Sequence, residues 1–370
     1  MRIAFDAKRA FNNHRGLGNY SRDTIRILST QFTDNQYYLF SPKVDNTIPF
    51  QVNDNCQIVL PSYFWARSFP SVWRSLGITR ELKRLQVDLY HGLSHELPMG
   101  IERTSIHTIV TIHDLIFLKF SNLYPVCDRY LYRKKYLYSC KIADKIIAIS
   151  EQTRRDLLEL TNVDEKKITV VYQGCNPIFK TQISDSQKEN ICKKYQLPRH
   201  YMLSVGALEP RKNHILILQA MAIGAIDFPL VIVGNRTSYA QILFDYIKEK
   251  GLQNRVFLLT DVPFADFPAL YQSASLFIYP SLFEGFGIPL LEALTCKIPV
   301  IAATGSCLEE SGGPDSIYVS PYDAEELSVA IDKVLTDSQL QEKMIRSGIE
   351  YAYNFSDENI AQKLWKVYNF

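Results

Sequence analysis

Residues 274–293 read ASLFIYPSLFEGFGIPLLEA. The run from Ala274 to Tyr279 is apolar but for Ser275, as a strand buried on both faces requires. Gly285 and Gly287 follow in a short loop, and Ile288 then opens an apolar helical pattern that carries Glu292, eight residues beyond Glu284. Strand, glycine loop and helix make one unit of a parallel sheet. The loop is a natural anion site, because open N–H groups and the helix dipole both favour negative charge at that end. Glu292, about one turn into the helix, has the oxygens to accept two hydroxyl hydrogen bonds, as a ribose would offer. Glu284 beside an anion is unfavourable unless it serves the substrate.

The same alternation extends in both directions. Apolar runs begin at Arg2, Tyr37, Cys56, Val87, His107 and Lys145 in the first half, and at Tyr201, Pro229, Val256, Ala274, Pro299 and Ser316 in the second. Helical patterns such as SEQTRRDLLEL from Ser150 and DAEELSVAIDKVLTD from Asp323 lie between them. The expected fold is α/β, with two doubly wound Rossmann-like domains facing a central cleft. The boundary falls where Gly, Pro, Ser and charges replace apolar runs, from Gly174 to His200, a linker with one helix in it. We place the domains at 1–180 and 181–354. The closing stretch NIAQKLWKVYNF is amphipathic, and helix 355–370 is expected to pack back on the first domain, burying Trp365 and Tyr368.

Composition narrows the function. The 370 residues carry 41 Lys/Arg against 39 Asp/Glu and are 46% hydrophobic, a balance that suits an ordinary two-domain globular protein and argues against a general nucleic-acid binder. No apolar run approaches 18 residues, and the charged N-terminus lacks a secretory core, so a cytoplasmic protein is expected. The seven cysteines form no CxxC pair and read as reduced, buried thiols. Residues 1–190 hold 26 cations against 19 anions. Much of that excess lies in two stretches where cations alternate with aromatics, Ser62–Leu85 and Asp128–Lys141. Either these are solvated helices with aromatics in the core, or they meet an anionic membrane surface on its inner face or a lipid-phosphate acceptor.

A second cationic element, SVGALEPRKN from Ser204 to Asn213, again follows a strand and sets Arg211 and Lys212 at a loop tip after Gly206. Two cations on a preorganised loop suit a diphosphate leaving group, where negative charge develops. No DxD pair occurs in the chain. Neither a metal nor any other cofactor is expected; the cations take the metal's place. In the first half, RGLGNYS places Gly16 and Gly18 ahead of a helix, but Ser21 stands where a dinucleotide fingerprint has its third glycine, so NAD is disfavoured. His113 and Asp114 directly follow a strand. HGLSHELP, with His91, His95 and Glu96, has no helical support for a metal site and reads as an acceptor loop. Ser150 has the position of a helix cap.

In this order and after these strands, EPRKN and EGFGIPLLEA resemble the donor half of glycosyltransferase family 4, a retaining family of the GT-B fold. The resemblance covers most of residues 195–355 and, more weakly, the N-terminal half. It implies that Glu292 contacts the donor ribose, Glu284 the transferred sugar, and Lys212, with Arg211 beside it, the phosphates. It implies donor contacts for Gly206, Asn235, Val262, Gly285, Phe286, Gly287 and Ile288. In the first half it implies donor phosphates facing Gly16 and Gly18, with Arg15 and Asn19 assisting, and His113 against a donor sugar hydroxyl. Many members have Arg where this chain has Ala207. The expected activity is transfer of a hexose, mannose before others, from a GDP- or UDP-linked sugar to a surface-polysaccharide or lipid-linked glycan acceptor. An epimerase or hydrolase of the same fold, or a non-catalytic binding module, is the alternative.

Overall fold

A computed structural model of the chain describes residues 1–14, 16–62, 68–120 and 126–369, with the backbone alone for 126–128. The chain forms two compact units, residues 1–174 with 356–370, and residues 175–355.

The first unit is built on a seven-stranded sheet, parallel in every pairing: β1 Arg2–Asp6, β2 Gln36–Phe40, β3 Cys56–Val59, β4 Leu89–Gly92, β5 His107–Ile112, β6 Lys145–Ala148 and β7 Ile168–Val170. Its order is β3-β2-β1-β4-β5-β6-β7. The second unit has six parallel strands, β8 Tyr201–Val205, β9 Leu230–Val233, β10 Val256–Leu259, β11 Ala274–Tyr279, β12 Val300–Ala303 and β13 Ile317–Val319, in the order β10-β9-β8-β11-β12-β13. The winding direction therefore reverses between β1 and β4 in one sheet and between β8 and β11 in the other. Loops at such reversals diverge beyond the carboxyl ends of the strands and leave a crevice for ligand.

All twelve apolar runs form strands. The thirteenth, β7, was not expected: three residues at a sheet edge carry too little apolar pattern to stand out. The edge strand β3 departs from full burial, with Gln57 and Ile58 exposed. Central strands such as β4, β9 and β12 are buried along their whole length. Trp73, Tyr90 and Leu82 lie in the first core, and Met202, Ile217 and Ile331 in the second.

The second unit starts earlier than residue 181. Phe179 is buried, its ring packed edge-on against Tyr271 and Phe264, which ties Cys175–Lys180 to that core. Phe355 packs on Phe286 of the same unit. The helix Asp185–Tyr195 occupies the linker region and opens with a capping box from Ser184 and Gln187.

The helix Asp357–Tyr368 belongs to the first unit. Trp365 stacks on Phe32 with ring centres 4.2 Å apart, and Tyr368 hydrogen-bonds His91 Nδ1. Asp357 anchors the helix start by pairing with Arg26 at 2.6 Å.

Two surface expectations need correction. On the helix Val126–Ile142, Tyr130, Leu131 and Tyr132 are exposed alongside Arg133 and Lys134, so these rings do not enter the core, although Tyr136 does. Cys56 and Cys192 are only half-buried, whereas Cys140, Cys175, Cys296 and Cys307 are buried; the Cys127 side chain lies outside what is described. The same holds for Arg15 and the stretch 63–67. No described helix is long and apolar enough to cross a membrane.

Candidate active site

Two loops of the second unit, after β8 and after β11, are stitched together by the backbone. Arg211 O accepts from Leu282 N at 2.9 Å and from Ser281 Oγ at 3.0 Å. Asn213, left-handed at φ 56°, sends its side-chain amide to Pro280 O and Pro321 O. The loop tip Pro210–Lys212, one 3-10 turn, is thus held where its two cations meet Glu284.

Glu284 Oε1 gathers four donors: Lys212 Nζ at 2.6 Å, Ser281 Oγ at 2.6 Å, Arg211 Nη1 at 2.8 Å and Tyr279 Oη at 3.1 Å. Lys212 Nζ also donates to Tyr279 Oη at 2.7 Å, and Arg211 to Phe283 O and Glu209. These side chains are 12% exposed for Lys212, 20% for Arg211 and 11% for Glu284. Burial alone would raise the Glu284 carboxyl, but Lys212 and then Arg211 overcome that and hold it at about 2. Burial lowers the Lys212 ammonium, Glu284 opposes that, and the Arg211 charge adds to the lowering. Two cations share the buried Glu284, and Arg211 also pairs with the half-buried Glu209 at 2.7 Å, so the cluster is balanced in charge while an anionic ligand could take the place of either acid.

The glycines have separate reasons. A Cβ on Gly206 would sit 3.2 Å from Lys212 Cδ, so its absence lets the lysine stem lie against the strand end. Gly287 has φ +95°, and a Cβ there would meet Leu308 and Ser311 at 2.8 Å. The helix Ile288–Thr295 starts directly after it and buries Glu292, whose Oε2 accepts from Tyr271 Oη at 2.8 Å. The apolar side chain of Phe286 is buried against Phe355.

Known proteins resemble the chain over most of its length. The chain matches Glycosyltransferase Family 4 over residues 15–178 and Glycosyl transferases group 1 over residues 187–351. The chain belongs to glycosyltransferase family 4. O-antigen chain mannosyltransferase B of Escherichia coli is 27% identical, covering 100% of this chain and 99% of that protein. O-antigen chain mannosyltransferase RfbU of Salmonella typhimurium is 29% identical over 72% of this chain and 69% of its own length. Among solved structures, Anabaena Alr3699/HepE in complex with UDP and glucose has a TM-score of 0.77 at 18% identity, covering 100% of this chain and 99% of that one. The fold is GT-B.

This family 4 glycosyltransferase does not assemble every expected residue into the cluster. Asn235 is exposed after β9, its carbonyl accepting from Leu208 N at 3.0 Å. Val262 is half-buried behind Asp261, which is left-handed at φ 57°. Among the described residues, neither bonds to Arg211, Lys212 or Glu284. Tyr279 and Ser281 were missed; their only sequence signal is position, the last residue of β11 and three residues before Glu284.

In the first unit of the family 4 enzyme, Gly16 and Gly18 lie inside the first turn of the helix Gly16–Gln31 rather than in a loop before it. A Cβ on Gly18 would stand 1.9 Å from Asn13 O, whereas Gly16 faces open space. Gly18 is thus explained by packing. His113 is buried after β5: its Nε2 donates to Leu93 O at 2.9 Å, and its own carbonyl accepts from Thr153 Oγ1 at 3.2 Å. Burial, then His95, push its imidazole down to about 3, so it is neutral at physiological pH. His91 lies within β4, bonded to Thr111 and Tyr368, and is part of the core rather than of a loop. Ser150 Oγ caps the helix Glu151–Leu160 by accepting from Thr153 N. Among the described residues, no group of three or more His, Cys, Asp or Glu is placed to hold a metal.

Proposed function

We propose that this glycosyltransferase transfers a hexose, mannose in the first instance, from a GDP- or UDP-linked sugar to a growing surface glycan, with retention at the anomeric carbon. The observation that carries the donor reading is the convergence of Arg211 and Lys212 on the buried Glu284 at the loop tips after β8 and β11. The mannosyltransferase relatives, alike over most or all of the chain, support the sugar, and the O-antigen in their names supports a polysaccharide acceptor.

In this reading Lys212 and Arg211 receive the departing diphosphate, and the helix start at Gly287 and Ile288 adds its dipole. No outside metal is needed, because both positive charges are already fixed in place. Glu284 orients the transferred sugar and Glu292 the ribose. His113, neutral and fixed by Leu93 and Thr153, presents its imidazole to a sugar hydroxyl. The acceptor hydroxyl attacks from the leaving-group side, and its proton goes to a diphosphate oxygen as the glycosidic bond to the nucleotide breaks.

The acceptor reading includes a membrane. Phe69, Val72, Leu76, Met99, Tyr130, Leu131 and Tyr132 are exposed. Met99 N bonds Ser75 O, and Gly100 N bonds Tyr138 Oη, which joins the segments that carry them. Exposed apolar groups among Arg133 and Lys134 suit an anionic bilayer. Flotation with phosphatidylglycerol vesicles at low salt tests this, and protein left wholly in the unbound fraction would remove it.

The experiment for the activity supplies GDP-mannose or UDP-glucose, in EDTA, with a synthetic mannoside carried on a lipid diphosphate. The expected product has the donor's anomeric configuration at its new bond, read from the C1–H1 coupling. Free sugar or an epimerised nucleotide sugar, formed without acceptor, would point instead to a hydrolase or epimerase.

A further inference from the structure

The first unit carries a second cationic cluster, which the donor chemistry leaves unused. It lies where its sheet reverses, beyond the carboxyl ends of β1 and β4. Arg74 bonds Asp6 through Nε at 3.0 Å and Glu96 through Nη1 at 2.7 Å, and Lys135 Nζ reaches Glu96 at 3.4 Å. Asp6 and Glu96 thereby take up the charges of Arg74 and Lys135. Lys8 and Arg9, in the first turn after β1, are half-buried and form no ion pair among the described residues. Arg9 Nε is buried with no partner. Burial, then Arg74 and Arg9, lower the Lys8 ammonium, and Asp6 and Glu96 offset this only in part.

Polar atoms gather at the same strand ends. Ser94 Oγ and Tyr136 Oη, on side chains of residues 5% and 3% exposed, have no hydrogen-bond partner, and neither has His95 Nδ1. The His95 backbone is left-handed at φ 65°, and its ring centre lies 5.8 Å from that of Tyr136 and 5.1 Å from that of His113. Asp114, the remaining acid near His113, accepts from Ile116 N at 3.1 Å. Buried polar atoms without partners are rare and unfavourable, and a non-Gly residue held at positive φ marks stored strain. Two unneutralised cations beside three such atoms describe a site waiting for an anionic, hydroxyl-bearing ligand.

We propose that this cluster binds a phosphoryl group of the acceptor, with Lys8 and Arg9 on its oxygens and Ser94, His95 and Tyr136 on hydroxyls of the adjoining sugar. The proposal rests on the glycosyltransferase reading above and adds to it the charge of the acceptor. Two spare cations match a phosphoryl dianion better than a single carboxylate.

The test titrates the full chain with geranyl diphosphate while GDP or UDP saturates the donor site. Wild type is expected to bind the probe, pyrophosphate to compete with it, and geraniol not to bind. Lys8→Gln and Arg9→Gln should each weaken the probe about tenfold or more. Nucleotide affinity should stay unchanged, and melting should be equal or higher, since each removes an unneutralised charge. Absence of probe binding with the donor site filled, or equal affinity in both variants, overturns the proposal. A parallel loss of nucleotide affinity also overturns it, because the cations would then serve the donor. If the variants lose flotation with phosphatidylglycerol vesicles but keep probe affinity, the phosphoryl source is the bilayer headgroup, and the acceptor assignment fails. Failure of the parent reading is distinct, because it appears as absent nucleotide binding in wild type.

Discussion

Lys212 Nζ lies 2.6 Å from Glu284 Oε1, although 72 residues separate them in sequence. The pair closes the reversal point of the second sheet and commits one carboxylate to two cations. A site built for the diphosphate alone would need no acid there. With Glu284 present, both cations are held in place without a ligand, and Glu209 takes up the second charge.

Lys212→Ala should therefore slow transfer by about 10²- to 10³-fold, the usual loss for one donor aimed at developing charge. Arg211 remains to pair Glu284, so the variant should stay folded. Steady-state transfer rates with a thermal melt check this; wild-type-like turnover would contradict it.

Glu284→Gln should behave differently. Removing the carboxylate leaves Arg211 with Glu209 but takes from the buried Lys212 its ion-pair partner, a loss of about 3–5 kcal/mol for a broken buried pair. Melting should fall without ligand. A nucleoside diphosphate should recover more of the melting temperature in this variant than it adds to wild type.

Acid should weaken the fold in two stages. Burial, then His113, hold His91 at about 3, and burial, then Lys212, hold His214 at about 3, as at His113. The unfolded chain binds these protons near pH 6.5, so their stabilisation is complete above that pH and is lost as pH falls from 6.5 towards 3. Each contributes a slope of up to about 1.4 kcal/mol per pH unit. The Glu284 contribution is complete above about pH 4.5, its ordinary value, and is lost as pH falls towards 2. Melting temperatures from pH 8 to 4 should bend near 6.5, and His214→Leu should flatten the first slope whatever it does to the midpoint at pH 8.

The two first-unit glycines should part company. Gly18→Ala drives a Cβ into Asn13 O and should lower melting, while Gly16→Ala, facing open space, should leave it unchanged. Any rise in donor KM from Gly16→Ala then reports ligand contact rather than folding. Equal melting of the two variants would contradict the packing argument.

The sequence made the alternation of strands and helices readable because parallel strands covered on both faces are apolar throughout, as in LVIV of β9 or VIAA of β12. The edge strand β7 and the true start of the second unit were hidden. β7 offers three residues, and Phe179 joins the second core through ring contacts that linear pattern does not encode. Of the residues that meet in the cluster, Glu284, Arg211 and Lys212 were legible from spacing after strands, whereas Glu292 lies on the next helix bonded to Tyr271. Tyr279 and Ser281, which fix Glu284, were not, since a tyrosine ending a buried strand reads as core. The Lys8 and Arg9 surplus was invisible for the opposite reason: Asp6, Arg74, Glu96 and Lys135, which neutralise one another around it, lie far apart in the chain.

The central claim is that Arg211, Lys212 and Glu284 bind a nucleoside diphosphate without a metal. Thermal shift of the full chain with UDP, GDP, ADP and dTDP in excess EDTA tests it most directly. One base at 100 times its dissociation constant should add about 2.7 kcal/mol. The shift should persist in EDTA and should be strongly reduced in Lys212→Ala. No shift for any base without magnesium, or an undiminished shift in Lys212→Ala, would contradict the account.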